Sequence, residues 1–517
     1  QNGESLILTI DWTIQNTLEK YLKQVCEEFN PAEGARGIIM DVKTGEILAS
    51  ATYPDYNLNN RNELTDYYKQ ILDSFEGTKE EKDKYESELI YAMWKNRTVT
   101  ELYEPGSTFK IITTAIGLEE GAFTINSHYN CAGSILVGSE TIRCHSGKVH
   151  GNQTVAEALV NSCNPAFVQM GLAIRGAAFS KYMEEFGYGT RTGSDILGEA
   201  QSIIIKDLSK DIDLANNAFG QSMTITALQH IRAVSAIANG GVITVPHIVK
   251  GFVDTNGNVT ANNDYNDTQR QVVSKSTADQ VMNALINSTK NASVSGYNII
   301  AKTGTSQKIL RNIQEPDKEH YISSCVAFAP AEDPEIAILI IVDEPPENGP
   351  YYGSQVAAPV IGNILTEVLP YLGIEPNADG TIKTNKLKDY RESSIENVKF
   401  EIDNLDVKLN YVIKGNGDTV VDQMPRQGTV VEENGTIILY TENTTSKSTV
   451  KMIDLNNYTH KDALNWIKLN KLNIKTDGIF NDDYNNCKVV SQSVEPGKEI
   501  EQGTVVEITF RYSEEIQ

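Results

Sequence analysis

The C-terminal part of the chain contains an internal repeat, and a repeat partitions a sequence before any element is assigned. Val420–Tyr440 (VVDQMPRQGTVVEENGTIILY) aligns with Val489–Thr509 (VVSQSVEPGKEIEQGTVVEIT). Gln423 falls opposite Gln492 and Gly428 opposite Gly497, both at an offset of 69 residues. Upstream, Lys388–Asp389–Tyr390 and Ile453–Asp454–Leu455 each precede an amphipathic helical turn. Two units are too few for a solenoid, which needs about three. They read as two small strand–helix–strand–strand modules, 384–444 and 448–513, behind an Asn/Asp/Gly-rich linker at 373–383. Residues 1–372 remain for one larger domain, long enough to bury a sizeable core.

Within that larger domain, periodicity predicts a short strand at Ser5–Trp12, then a helix with Ile14, Leu18, Leu22 and Val25 on one face. Gly37–Asp41 and Glu46–Ala51 read as a hairpin whose turn ends on Gly45. Residues 56–100 are polar and read as a surface insertion around helices. Ser107–Gly121 reads as a helix capped by Ser107, and helical spacing returns at 154–175, 226–238 and 357–369. Three strands are expected at 298–305, 321–329 and 336–343, the last two joined as an antiparallel hairpin. The expected class is α/β in the α+β sense, a central antiparallel sheet flanked by helices, with two small α+β domains appended.

Charge excludes one broad class of partner. The net charge of −24 offers no basic footprint for a phosphate backbone, so nucleic acid is not expected. No apolar run approaches the ~18 residues of a membrane span. The chain opens at Gln1 with no leader-like segment, so a signal or anchor is expected to have been trimmed.

Chemistry concentrates in three motifs. In Glu104–Pro105–Gly106–Ser107–Thr108–Phe109–Lys110, Ser107 and Lys110 lie one helical turn apart. A neutral lysine there takes the serine proton, the helix dipole favours the resulting negative charge, and the Ser107 N–H is available to an oxyanion. S-x-x-K alone also describes a capped helix with an exposed lysine. Ser162–Cys163–Asn164 and Lys302–Thr303–Gly304–Thr305 follow in order and separate the two readings. S-x-x-K, S-D-N and K-T-G together mark serine β-lactamases and penicillin-binding proteins; here Cys163 replaces the central Asp.

The chain therefore resembles the transpeptidase domain of a class B penicillin-binding protein followed by two PASTA modules. Ala51–Thr52–Tyr53–Pro54, Asn96–Arg97, Tyr103–Gly106 and Phe219–Gly220–Gln221–Ser222 with Thr226 carry the same resemblance. It implies a serine-type D-Ala-D-Ala transpeptidase that cross-links peptidoglycan stem peptides through an acyl-enzyme and is acylated by β-lactams, in spore cortex or septal wall synthesis. It implies work on lipid-linked precursor with a membrane glycosyltransferase, at the extracytoplasmic face of the membrane, held by an N-terminal transmembrane segment absent from this chain. No cofactor is required for the chemistry. By motif, Ser107 is the nucleophile, Lys110 the base, Ser162 the proton relay to the leaving D-Ala, and Asn164 a ligand to the substrate backbone. Lys302 sets the electrostatics around Ser162, Thr303 and Thr305 bind the terminal carboxylate, Gly304 admits close backbone approach, and the Ser107 and Thr305 N–H groups form the oxyanion hole.

Two other functions stand against this. A catalytically silent penicillin-sensing scaffold has no need of Ser107, Lys110, Ser162, Asn164 and Lys302 together. A β-lactamase needs a deacylating Glu, and Glu157–Ala158–Leu159–Val160–Asn161 resembles that motif but precedes Ser162 directly, so it reads as helix surface. The modules read equally as muropeptide binders or as spacers, and the first is divergent because it lacks the Pro expected before Asp389.

Cys131, Cys144, His145 and His150 form C-x12-C-H-x4-H, a ligand set suited to tetrahedral zinc. Adjacent Cys144 and His145 do not both ligate easily, so Cys163 or an Asp is an alternative fourth ligand. A Cys131–Cys144 disulfide and free thiols in a surface loop remain rival readings. His128, His230, His247, His320 and His460 show no pairing pattern and read as structural, as do Cys26, Cys325 and Cys487.

Overall fold

The computed structural model describes residues 5–512 except 263–264, 287, 289–290, 293, 295, 316, 347, 375–383, 406, 443–445 and 479–486. Two compact units divide near residue 374. The expected linker lies mostly outside the described residues.

The first unit is built on a five-stranded antiparallel sheet of β1 (Ala35–Asp41), β2 (Ile47–Tyr53), β3 (Ile300–Gln307), β4 (Tyr321–Ala329) and β5 (Ile336–Asp343). Its order is β3-β4-β5-β1-β2. Every residue of β5 is buried, because helices cover both faces of this central strand; that is why its sequence is an unbroken apolar run rather than an alternating one. Helices Trp12–Phe29 and Gly353–Tyr371 pack on one face, and Ala227–Ala238 on the other. The first starts where the Asp11 carboxylate accepts the Thr13 and Ile14 N–H groups and stops at left-handed Asn30. Its stripe of Ile14, Leu18, Leu22 and Val25 is buried, each fully buried side chain contributing about 2 kcal/mol.

Strand β3 is an edge strand, so one row of its backbone N–H and C=O groups has no partner within the sheet. It carries Lys302–Thr305. The segment between the Lys110–Glu119 helix and the Asn164–Ile174 helix folds into two small ribbons, His128–Cys131 with Gly151–Thr154 and Ser134–Val137 with Glu140–Arg143. No described helix is long and apolar enough to cross a membrane.

In the second unit each module pairs a helix, Ile395–Asp403 or His460–Leu469, with a three-stranded mixed sheet. The matched glutamines do the same job in both copies. Gln423 accepts the Tyr390 N–H and Gln492 the Leu455 N–H, tying strand to upstream turn. The modules interlock through Asn473, 1% exposed, which exchanges hydrogen bonds with the Thr436 backbone and donates to the Gly503 carbonyl.

Candidate active site

Ser107 lies inside a 3₁₀ turn, Gly106–Phe109, that leads into the helix Lys110–Glu119. The expected N-cap role is thus corrected: the first α-helical residue is Lys110, and no side chain caps this end. The Ser107 hydroxyl is not engaged in a cap. Two glycines set the turn. Gly106 has φ of 56° and donates its N–H to Gly220 O at 3.0 Å. A Cβ on Gly304 would stand 2.8 Å from Pro105 O and 2.7 Å from Ser324 Oγ, so this glycine lets β3 lie against the Ser107 turn.

Lys110 is fully buried and its Nζ donates to Ser162 O at 2.6 Å, Asn164 Oδ1 at 2.7 Å and Ser162 Oγ at 3.2 Å. Lys302 Nζ donates to the same Ser162 Oγ at 3.0 Å and to Thr303 O at 3.0 Å. One hydroxyl therefore sits between two amines. Burial, then the positive Lys302, push the Lys110 amine well below the usual lysine range. The helix break at Ser162 makes this possible: Ser162 adopts φ of 52°, and Pro165 restarts the helix. Thr303 and Thr305 are half-buried on β3, and Thr305 Oγ1 accepts the Gly353 N–H at 3.0 Å. The structure brings Lys110, Ser162, Asn164 and Lys302 together by direct hydrogen bonds, with Ser107 one turn from Lys110. Glu157 is exposed and engaged in a capping box with Thr154.

Beneath the turn runs a buried chain that spacing could not reveal. Thr108 Oγ1 donates to Pro105 O at 2.8 Å, and His230 Nε2 lies 2.8 Å from the same hydroxyl. With its one proton committed, Thr108 must accept from His230 Nε2–H, so Nδ1 accepts from Tyr188 OH at 3.0 Å. Burial holds His230 down to about 3, keeping it neutral.

Glu104 is a second residue that the motif reading passed over. One carboxylate oxygen accepts the Ser222 N–H at 3.1 Å, and the other is buried with no hydrogen-bond partner among the described residues. Burial raises it to about 7, against a smaller pull from the Ser222 N–H. A carboxyl raised in the folded state adds stability below its unfolded value and loses it as pH rises through its folded value. Between about pH 5 and pH 9 the wild type should lose up to about 3 kcal/mol relative to Glu104→Gln. Urea unfolding of both proteins across that range checks it; parallel curves would refute the assignment.

Cys131, Cys144, His150 and Cys163 place one ligand atom each within 4.8 Å of one another. Cys144 Sγ is 3.4 Å from His150 Nδ1 and 3.9 Å from Cys163 Sγ. Those separations match the edges of a tetrahedron with zinc bonds of about 2.0–2.3 Å. His145 is not in the cluster. Its ring packs edge-on against Tyr352, centroids 5.0 Å apart, because consecutive side chains leave the backbone in different directions. Cys163, the central residue of the second motif, takes its place. The three cysteines are thiols in this structure; the Cys163 contact holds the Cys144 thiol low and Cys163 correspondingly high.

The family model for the penicillin binding protein transpeptidase domain matches residues 37–366, and the PASTA domain model matches 385–443 and 450–511. Stage V sporulation protein D of Bacillus subtilis is 33% identical over 451 residues, covering 85% of this chain and 66% of that protein. Peptidoglycan D,D-transpeptidase FtsI of Escherichia coli is 29% identical over 388 residues, covering 73% and 58%. The chain thus spans less than two thirds of the length of these relatives. Among solved structures, a peptidoglycan synthetase from Bifidobacterium adolescentis superposes with TM-score 0.60 at 26% identity, over 74% of this chain and 64% of that one. The transpeptidase domain of Burkholderia pseudomallei penicillin-binding protein 3 gives 0.56 at 24%, over 72% and 97%, a likeness of fold alone. Fold and motif order together define a penicillin-binding α+β domain with appended PASTA domains. The chain belongs to the penicillin-binding protein transpeptidase family, and the class B resemblance read from its motifs extends to sporulation protein D.

Proposed function

We propose that the chain is a serine D,D-transpeptidase of peptidoglycan, acting in spore cortex or septal wall synthesis. The observation that carries the reading is the buried Lys110, joined to Ser162 and Asn164 and reached from the other side by Lys302, one turn from Ser107. Ser107 Oγ attacks the penultimate D-Ala carbonyl carbon. The C–O bond to Ser107 forms as the C–N bond to the terminal D-Ala breaks. The Ser107 proton passes to neutral Lys110 and, through Ser162 Oγ, to the leaving amine. An acceptor amine then attacks the ester, returns a proton to Ser107 by the same route, and leaves as the cross-linked peptide. The backbone N–H groups of Ser107 and Thr305 stabilise the oxyanion, Asn164 and the β3 backbone align the peptide, and Thr303 and Thr305 take its terminal carboxylate. Glu157 is held in its capping box with Thr154, which supports an acyl-enzyme that persists. The same reading sets the domain outside the cytoplasmic membrane, beside a glycosyltransferase that polymerises lipid-linked precursor. Fluorescent penicillin should label the wild type at one serine, and peptide mapping should place the adduct on Ser107; an adduct elsewhere would sink the assignment.

Zinc is proposed as a structural ion held by Cys131, Cys144, His150 and Cys163. It would pin the ribbon before the second motif and take no part in the chemistry. Protein purified without a metal-affinity column should carry about one zinc per chain, and Cys163→Ser should lose it and unfold at lower temperature. Substoichiometric metal, or a quantitative Cys131–Cys144 disulfide by mass spectrometry, would remove the ion.

A further inference from the structure

The oxyanion hole of the proposed mechanism draws its two N–H groups from different elements, Ser107 from the 3₁₀ turn and Thr305 from β3. Both must aim at one oxygen, so the spacing between turn and strand is part of the chemistry. Thr108 stands in that gap. A Cβ on Gly304 would lie 3.2 Å from the Thr108 methyl carbon and 2.8 Å from Pro105 O. The Thr108 hydroxyl donates to that same Pro105 carbonyl. One side chain thus fixes the carbonyl two residues before Ser107 and spaces the turn from the residue before Thr305. From the other side, Ser306 Oγ donates to Glu104 O at 2.8 Å.

That placement depends on the Thr108 rotamer. The residue is fully buried, and turning it about Cα–Cβ would exchange methyl and hydroxyl against Gly304. His230 opposes the rotation. Its Nε2–H donates to Thr108 Oγ1, while its Nδ1 accepts from Tyr188 OH. Both rings are fully buried, and Tyr188 packs against Phe109, the residue after Thr108, with centroids 5.4 Å apart. His230 rides on the Ala227–Ala238 helix, which lies against the sheet. The chain is therefore anchored in the core rather than in the cleft.

We propose that Thr108, His230 and Tyr188 lock the Ser107 turn at a fixed spacing from β3 and so hold the two N–H donors on one oxyanion. All three are positioning residues that act through the turn. The inference rests on Ser107 being acylated, and the test separates the two.

The limiting rate of acylation by penicillin, and the concentration giving half of it, are measured for wild type, Thr108→Val, Thr108→Ser, His230→Phe and the Thr108→Val, His230→Phe double variant. A thermal melt accompanies each. Affinity is also measured for an acylaminomethylboronic acid, whose tetrahedral adduct with Ser107 presents an oxygen to the hole. Thr108→Val keeps the side-chain shape and loses the hydroxyl. It should lower the limiting rate about thirtyfold and the boronate affinity by a similar factor, with the half-saturating concentration within about twofold. His230→Phe should lower both about tenfold. Thr108→Ser, which keeps both hydrogen bonds, should stay within about threefold of wild type. The double variant should be little worse than Thr108→Val, since either change breaks the same chain. The pH at which acylation levels off should not move, because Lys110 keeps its neighbours. Should His230→Phe fail to fold, Thr108→Val against Thr108→Ser decides. A wild-type limiting rate in folded Thr108→Val, Thr108→Ser as slow as Thr108→Val, or slow acylation with full boronate affinity would overturn the lock. A wild type that penicillin does not label at Ser107 would overturn the underlying reading instead.

Discussion

Ser107→Ala should abolish covalent labelling by penicillin and all thioester turnover, while the melting temperature stays within a few degrees of wild type. The structure sharpens the second half of that expectation. A serine N-cap would cost about 1 kcal/mol on loss, but Ser107 sits within a 3₁₀ turn and caps nothing. Its hydroxyl is available to react, and its removal leaves the packing of Phe109 and the buried Thr108–His230 chain untouched. Labelling followed by gel fluorescence, with a thermal melt on the same sample, decides the matter. Residual stoichiometric label on the variant would mean that another residue is acylated.

Lys110→Ala should slow acylation on the order of a thousandfold, within the range set by loss of a general base. Lys110→Arg should not rescue it, because a guanidinium cannot give up its proton to become a base. The pH profile supplies the sharper check. An amine acts as base only when neutral, so acylation should rise with pH through the Lys110 value and level off. Burial and Lys302 lower that value, so the plateau should already be reached below the pH at which an ordinary lysine titrates. Lys302→Ala removes one of the depressing charges and should move the inflection upward. A wild-type profile that keeps climbing into the ordinary lysine range would assign the base elsewhere.

The strands at 321–329 and 336–343 were legible in the sequence to the residue; burial on both faces leaves 336–343 a nearly unbroken apolar run, and the Pro330–Glu335 connection separates it from 321–329. The helix Trp12–Phe29 was legible in its apolar stripe at helical spacing but not in its start: the expected first strand ran on through Trp12, whereas it ends at Leu8 and Asp11 caps a helix beginning at Trp12. What failed was local reading where tertiary contacts decide. Ser107 looks like a cap by residue type, yet Gly106 and Gly220 fold the preceding backbone into a 3₁₀ turn. His145 looks like a ligand beside Cys144, yet side chains of neighbouring residues diverge, and the space by the cysteines is filled by Cys163 from a distant position. Glu104 and His230 carry no pattern at all. Their importance comes from burial beside the Ser107 turn, which a linear sequence does not display.

Ser162 carries one more consequence, for inheritance rather than catalysis. Its left-handed backbone turns the carbonyl, not only the hydroxyl, toward Lys110. A main-chain oxygen survives every codon change at its own position. The hydroxyl of Ser162 can therefore be lost by mutation while the lysine keeps its shortest anchor, and a glycine there would relieve the backbone as well. The proposed proton relay and the placement of the proposed base are thus separately mutable at a single residue. Drift at this site should silence the relay long before it dislodges the lysine.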